Sequence, residues 1–205
     1  MAYEIAVVGT SWGGLTALHT LIAGLPASFA LPLVIVQHRH RQSDSLLATL
    51  LQDRSPPSLA VCEVEDKTPI APGSVYVAPA DYHLLVEPGH FSLSIDAPVR
   101  FSRPSIDVTF ASAADSYSDR AVGVVLTGAN TDGSRGLKRI VDRGGLAFVQ
   151  DPRTAESPTM PEAAIRCVPG ARVLTIGQIA DALGALPGSH RVADESSHAR
   201  AVDGQ

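Results

Sequence analysis

The stretch Ile5-Ala6-Val7-Val8-Gly9-Thr10-Ser11-Trp12-Gly13-Gly14 decides how the rest of this chain is read. Four consecutive apolar residues predict a short strand buried on both faces, as in parallel sheets. Small residues follow at once, and Leu15, Leu18, Ile22 and Leu25 then recur at helical spacing. Ser11 therefore falls on a strand-to-helix turn. Such a turn pushes a hydroxyl out of the fold, and the helix beyond it aims backbone N–H groups at whatever that hydroxyl attacks. The G-x-S-x-G spacing of residues 9–13 fits a nucleophile turn. It also fits a plain tight turn, or a glycine loop cradling a phosphate at a helix N-terminus.

The same alternation runs outward from this segment. Further strands are predicted at 33–37, 59–64, 74–78, 122–127, 146–150 and 173–176. Helices are predicted at 46–51, 106–116, 133–143, 161–165 and 179–186. Ser43 or Asp44 is placed to cap the second helix, and Pro56-Pro57 to stop it. Residues 83–87 and 91–95, joined by Pro88-Gly89-His90, read as a β-hairpin excursion. Short buried strands alternating with helices predict an α/β fold: a doubly wound, mainly parallel sheet with helices on both faces. One domain is expected over residues 1–187, with a frayed polar tail at 188–205.

Bulk properties narrow the function. At 205 residues, 45% hydrophobic and 18% charged, the chain suits one globular core. A net charge of −5 argues against nucleic acid as a partner. Cys62 and Cys167 lie far apart, match no metal spacing and are expected as small buried hydrophobes in a reducing compartment. The N-terminus lacks a basic region ahead of its apolar run, and no run approaches membrane-spanning length. A soluble cytoplasmic protein without membrane insertion is expected. Neither a clustered His/Cys pattern nor a phosphate-loop lysine is present, so no metal and no cofactor is expected.

In an open parallel sheet the functional loops lie beyond the carboxyl ends of the strands. Ser11 and His38 each directly follow a predicted strand, as do Asp81, Asp132 and Asp151. Serine, histidine and a carboxylate on one edge are what acyl transfer needs: a nucleophile, a base to take its proton, and an acid to orient the base. Periodicity does not choose among the three aspartates. The glycine-rich loop around Asp132 favours that residue slightly, because such loops let backbone approach a substrate. His19 lies within a helix, His40 faces solvent, His83 and His90 read as surface residues of the hairpin, and His190 and His198 fall in the tail. The order Ser, His, Asp differs from the Ser, acid, His order of the α/β-hydrolases. A small-molecule esterase or amidase with the same three residues, and a non-enzymatic phosphate- or nucleotide-binding module, are the alternative readings.

Six ordered segments resemble the catalytic domain of the chemotaxis protein-glutamate methylesterases. They are the serine turn ending at Gly13-Gly14, the strand end Gln37-His38, the stretch from Tyr76 through His83-Leu84, Arg103-Pro104-Ser105-Ile106-Asp107, the loop Thr127-Gly128 through Asp132-Gly133, and Gln150-Asp151 with Met160-Pro161-Glu162-Ala163. The resemblance covers roughly residues 4–187. It implies a doubly wound parallel sheet with a hairpin, and a serine esterase that removes methyl groups from chemoreceptor glutamates and deamidates receptor glutamine. Carried across residue by residue, it implies Ser11 as nucleophile, His38 as general base and Asp132 as the orienting carboxylate. The backbone N–H groups of Trp12 and Ala129 are implied as the oxyanion hole. Methyl-accepting receptors are the implied partners. The family's receiver domain has no counterpart in the matched segments, which leaves room for a separate regulatory or receiver protein. Trp12, Ala129 and Arg39-His40-Arg41 depart from the residues usual in the family and alter the walls of the pocket.

Overall fold

A computed structural model of the chain describes residues 2–42 and 46–188. Its elements follow in the order β1 (Ile5–Thr10), α1 (Gly14–Ala23), β2 (Leu33–Gln37), α2 (Leu46–Gln52), β3 (Ala60–Glu63), β4 (Ser74–Val77), β5 (His83–Glu87), β6 (His90–Ser94), α3 (Ile106–Tyr117), β7 (Ala121–Val125), α4 (Ser134–Asp142), β8 (Leu146–Gln150), α5 (Thr159–Cys167), β9 (Arg172–Leu174) and α6 (Ile176–Gly184). Seven strands form one parallel sheet in the order β3-β4-β2-β1-β7-β8-β9. β5 and β6 pair antiparallel as the expected hairpin.

The buried strands alternate their side chains between two cores. Ala6, Val8, Leu33 and Ile35 face the core covered by Leu18, Leu21 and Ile22 of α1, Leu47 and Leu51 of α2, and Ile179 and Leu183 of α6. Ile5, Val7, Val34 and Val36 face the other core. There they meet Ile106 and Phe110 of α3, Leu137 and Ile140 of α4, Met160 of α5, and Leu84, Val86 and Phe91 of the hairpin. Both faces of the central strands are thus apolar, which is why residues 5–8 and 33–36 read as unbroken apolar runs.

The sequence turns to one side of β1 through β2, and to the other through β7. The carboxyl ends of β1, β2 and β7 therefore meet at the topological switch point, where open α/β sheets place their ligands. Thr10 is in register with Gln37, and the His38 N–H continues the ladder to the Thr10 carbonyl at 3.0 Å.

Several expectations shift. The last strand is β9 at Arg172–Leu174, and α6 starts at Ile176 because Thr175 and Gln178 form a capping box. Cys62 is exposed on edge strand β3 and Cys167 is half-buried at the end of α5, so neither is a buried hydrophobe. His83, expected at the surface, is only 2% exposed because the hairpin packs beneath α3. The proposed caps Ser43 and Asp44, and residues 189–205 of the expected tail with His190 and His198, lie outside the described residues. Among the described residues, no helix is long and apolar enough to cross a membrane.

Candidate active site

The serine turn is built by close packing that admits glycine alone. Gly13 has φ +76, a left-handed conformation that glycine adopts without steric cost. At Gly14, a Cβ would lie 2.0 Å from Gln37 Oε1 and 2.8 Å from Thr10 Oγ1. The Gln37 amide needs that space. Its Nε2 donates to the Ser11 carbonyl at 2.8 Å and to the His38 carbonyl at 2.9 Å, tying the two loop starts together.

The Ser11 carbonyl also accepts the Gly14 N–H at 3.0 Å. A trans peptide whose oxygen is held on one side points its N–H to the other. The N–H so aimed belongs to Trp12, and it has no partner among the described residues. The loop after β7 repeats the arrangement. The Gly128 carbonyl accepts the Met160 N–H at 2.9 Å, and the Ala129 N–H on the same peptide has no partner among the described residues. Thr127 links the two loops. Its Oγ1 donates to the Trp12 carbonyl at 2.9 Å, and its own carbonyl accepts the Ser11 N–H at 3.0 Å.

His38 and Asp132 meet directly. The ring Nε2 lies 2.8 Å from Asp132 Oδ2, although the two residues are 94 positions apart. Asp132 is fully buried and surrounded by donors. Oδ2 also accepts the Ile106 N–H at 2.7 Å. Oδ1 accepts the N–H groups of Asp107 and Gly133, each at 3.0 Å, and the Ser105 hydroxyl at 3.1 Å. Ser105, Ile106 and Asp107 are the N-terminus of α3, whose unpaired N–H groups and positive dipole end favour an anion. Burial alone would push the Asp132 carboxyl up. The His38 hydrogen bond and these backbone donors outweigh it and hold the group below its usual range. Asp107 moves the other way. Burial is the main cause and the Asp132 charge adds to it, against the Gly136 N–H and Arg100.

Ser11 and His38 line two adjoining depressions. One, about 670 Å³, is walled by Arg41, Asp81, Phe101, Arg103 and Asn130. The other, about 480 Å³, is walled by Trp12, Leu15, Ala129 and Glu156. Trp12 is 66% exposed and forms a wall of the second depression.

The structure thus gathers Ser11, His38 and Asp132 on one edge, with the Trp12 and Ala129 N–H groups beside them. Asp81 reaches the cavity but pairs with Arg103 at 2.6 Å. Asp151 caps the short turn Pro152–Thr154 and pairs with Arg153. Ser11 Oγ has no hydrogen bond among the described residues. The second ring nitrogen of His38, Nδ1, instead lies 3.2 Å from Asn130 Nδ2. Sequence reasoning did not single out Asn130, Gln37, Ser105 or His83. His83 Nδ1 accepts the Ser105 N–H at 3.2 Å and its Nε2 lies 3.1 Å from the Ala97 carbonyl, which fixes the start of α3. All four residues sit inside the six segments that carry the resemblance, which was the available signal.

Fold and site together define a doubly wound α/β protein with a serine, a histidine and a buried aspartate gathered at the switch point of its sheet. The chain belongs to the CheB methylesterase family, which it matches over residues 6–183. It is 47% identical over 182 residues to a Leptospira interrogans protein with the provisional name protein-glutamate methylesterase/protein-glutamine glutaminase, covering 88% of this chain and 93% of that one. It is 38% identical to protein-glutamate methylesterase/protein-glutamine glutaminase 1 of Carboxydothermus hydrogenoformans, covering 89% of this chain and 55% of the relative. The crystal structure of the Thermotoga maritima CheB methylesterase catalytic domain superposes with a TM-score of 0.83 at 33% identity, covering 89% of this chain and 98% of that one.

Proposed function

We propose that this chain hydrolyses γ-methyl esters of glutamate in the cytoplasmic helices of chemoreceptors, releasing methanol, and deamidates glutamine at such sites. Ser11 is the nucleophile. Asp132 holds Nε2–H of His38, so the base nitrogen is Nδ1, the reverse of the commoner use of the ring. Nδ1 takes the serine proton as Oγ bonds to the ester carbonyl carbon. The oxyanion that forms is met by the N–H groups of Trp12 and Ala129. Nδ1–H then protonates the departing methoxide, and water, deprotonated by the same nitrogen, clears the acyl-enzyme. A cytoplasmic location and a separate receiver or regulatory protein belong to the same reading.

The observation that supports it is the 2.8 Å His38–Asp132 contact in a site where Ser11 lies with two N–H groups that have no partner among the described residues, on peptides whose carbonyls are held. Methanol release from methylated receptor tests it, with Ser11→Ala as comparison. Loss of about 10⁶ in rate is expected for Ser11→Ala. Release by wild type that survives this substitution would refute the proposal.

A further inference from the structure

Asn130 touches the ring of His38 at one end of its amide and the backbone of Asp132 at the other. Its Oδ1 accepts the backbone N–H of Asp132 at 3.0 Å, closing a turn within its own loop. That bond decides which way round the amide lies. With the oxygen on an N–H, the NH2 group faces His38 Nδ1, 3.2 Å away. A donor there requires a lone pair on Nδ1. On the other side of the ring, the ionised Asp132 only accepts, so Nε2 carries the proton. Both contacts select the same neutral tautomer. The lone pair they leave on Nδ1 is the one that would take the Ser11 proton, and in the resting protein it is engaged by Asn130.

We infer that Asn130 is a positioning residue: it holds His38 in the base-ready tautomer, covers Nδ1 in the resting protein, and swings aside when substrate arrives. The inference rests on the proposed role of His38 as base. Once the Oγ–H proton moves to Nδ1, that nitrogen becomes a donor facing the Asn130 donor, so the amide cannot stay where it is. The swing is open to it, because Asn130 is half-buried on the wall of the 670 Å³ cavity. The charged and titratable groups around the ring are Asp132 on the β7–α4 loop, with Asp107 behind it; Arg39, His40 and Arg41 after β2; Asp81 and Arg103 across the cavity; and Glu156 in the adjoining depression. None of them changes when Asn130 is replaced.

The test is the rate at which a small fluorophosphonate labels Ser11. Asn130→Ser keeps an oxygen for the Asp132 N–H but is too short to cover Nδ1. Asn130→Ala removes both contacts. Freed of the amide, Nδ1 is available to Ser11, so Asn130→Ser should label about two- to tenfold faster than wild type, the range of one neutral hydrogen bond. A merely structural contact would give slower labelling in both variants. Equal or slower labelling by a folded Asn130→Ser protein would overturn the inference. The ring ¹⁵N spectrum gives a readout independent of activity. Wild type should show Nε2–H with a hydrogen-bonded, unprotonated Nδ1, and Asn130→Ser should lose that Nδ1 hydrogen bond. Nδ1–H in the wild-type neutral ring, or an unchanged Nδ1 signal in the variant, would also overturn it. A wild type that does not label at all would refute the hydrolase reading, and the ring spectrum would still decide the part played by Asn130.

Discussion

Asp132→Asn puts the electrostatics of the site to its hardest test, because the new amide has nowhere to go. Oδ1 receives two backbone N–H groups and the Ser105 hydroxyl; Oδ2 receives the Ile106 N–H and the His38 ring. Two of the partners at Oδ1 and one at Oδ2 are backbone N–H groups that cannot accept, whereas the Ser105 hydroxyl and the His38 ring can each turn to accept. The amide oxygen should therefore keep the Oδ1 position, leaving NH2 against the Ile106 N–H and Nε2. One buried N–H is then unsatisfied, at about 1–3 kcal/mol. The negative charge at the N-terminus of α3 is also lost, at about 1 kcal/mol. Unfolding free energy should fall by about 2–4 kcal/mol, read as a lower urea midpoint with unchanged slope. The larger effect is on the ring. Facing NH2, Nε2 must become the acceptor, so Nδ1 carries the proton and no base faces Ser11. Methanol release per folded molecule should fall about 10⁴-fold, equivalent to roughly 5.5 kcal/mol of barrier. Asp81→Asn is the control. It shares the cavity but its carboxylate is 42% exposed, and its φ of 63° suits asparagine. It should change stability by less than about 1 kcal/mol and leave turnover nearly intact. Asp132→Asn losing less than about tenfold in rate, or Asp81→Asn proving equally damaging, would refute the reasoning.

Acid unfolding should separate the two neighbouring carboxylates. Asp132 is held low, so its contribution is present above the unfolded carboxylate value of about 3.9 and is lost as pH falls through its lower folded value; a stability–pH curve of Asp132→Asn should lack that acid-side fall. Asp107 is held high, so stability is lost as pH rises from the unfolded carboxylate value of about 3.9, and the loss is complete above the raised folded value. Asp107→Asn keeps an oxygen for the Gly136 N–H at 2.8 Å, and should match or exceed wild-type stability at pH 7 while converging with it in acid. Gly14→Ala forces Gln37 off the Ser11 and His38 carbonyls, and should cost about 1–3 kcal/mol in a denaturant titration together with most of the turnover. Trp12→Ala keeps the backbone N–H. Fluorophosphonate labelling should stay within about tenfold of wild type, while receptor demethylation drops further; equal losses in both assays would mean that the indole supports the serine turn itself.

Local sequence carried the parts of this structure that depend on local physics. The apolar runs at residues 5–8 and 33–36 announce strands buried on both faces, and the strands lie there. The end of β9 was misplaced although its signal was present, since Thr175 and Gln178 spell a capping box. His83 shows what periodicity lacks. Its burial depends on α3 lying over the hairpin, and its partners Ala97 and Ser105 are 14 and 22 residues away. Proximity along the chain likewise gave no choice among three aspartates. Asp132 is distinguished by the N-terminus of α3, which arrives from 25 to 27 residues upstream to supply its donors. Which ring nitrogen faces which partner depends on a side-chain rotamer, and no motif encodes it.

The meeting of three strand ends at β1 also bears on how the chain folds. β2 and β7 reach β1 from opposite sides, and the His38–Asp132 contact closes a loop of 94 residues. Closure over such a span is slow and brings no gain until the pairing on both sides of β1 is complete. Ser11 and His38 follow β1 and β2, which pair directly, whereas the carboxylate at the ring arrives only with β7. On the proposed roles of these residues, hydrolytic competence is expected to appear late in folding. In a refolding experiment its recovery should track the slowest assembly step rather than the appearance of helix.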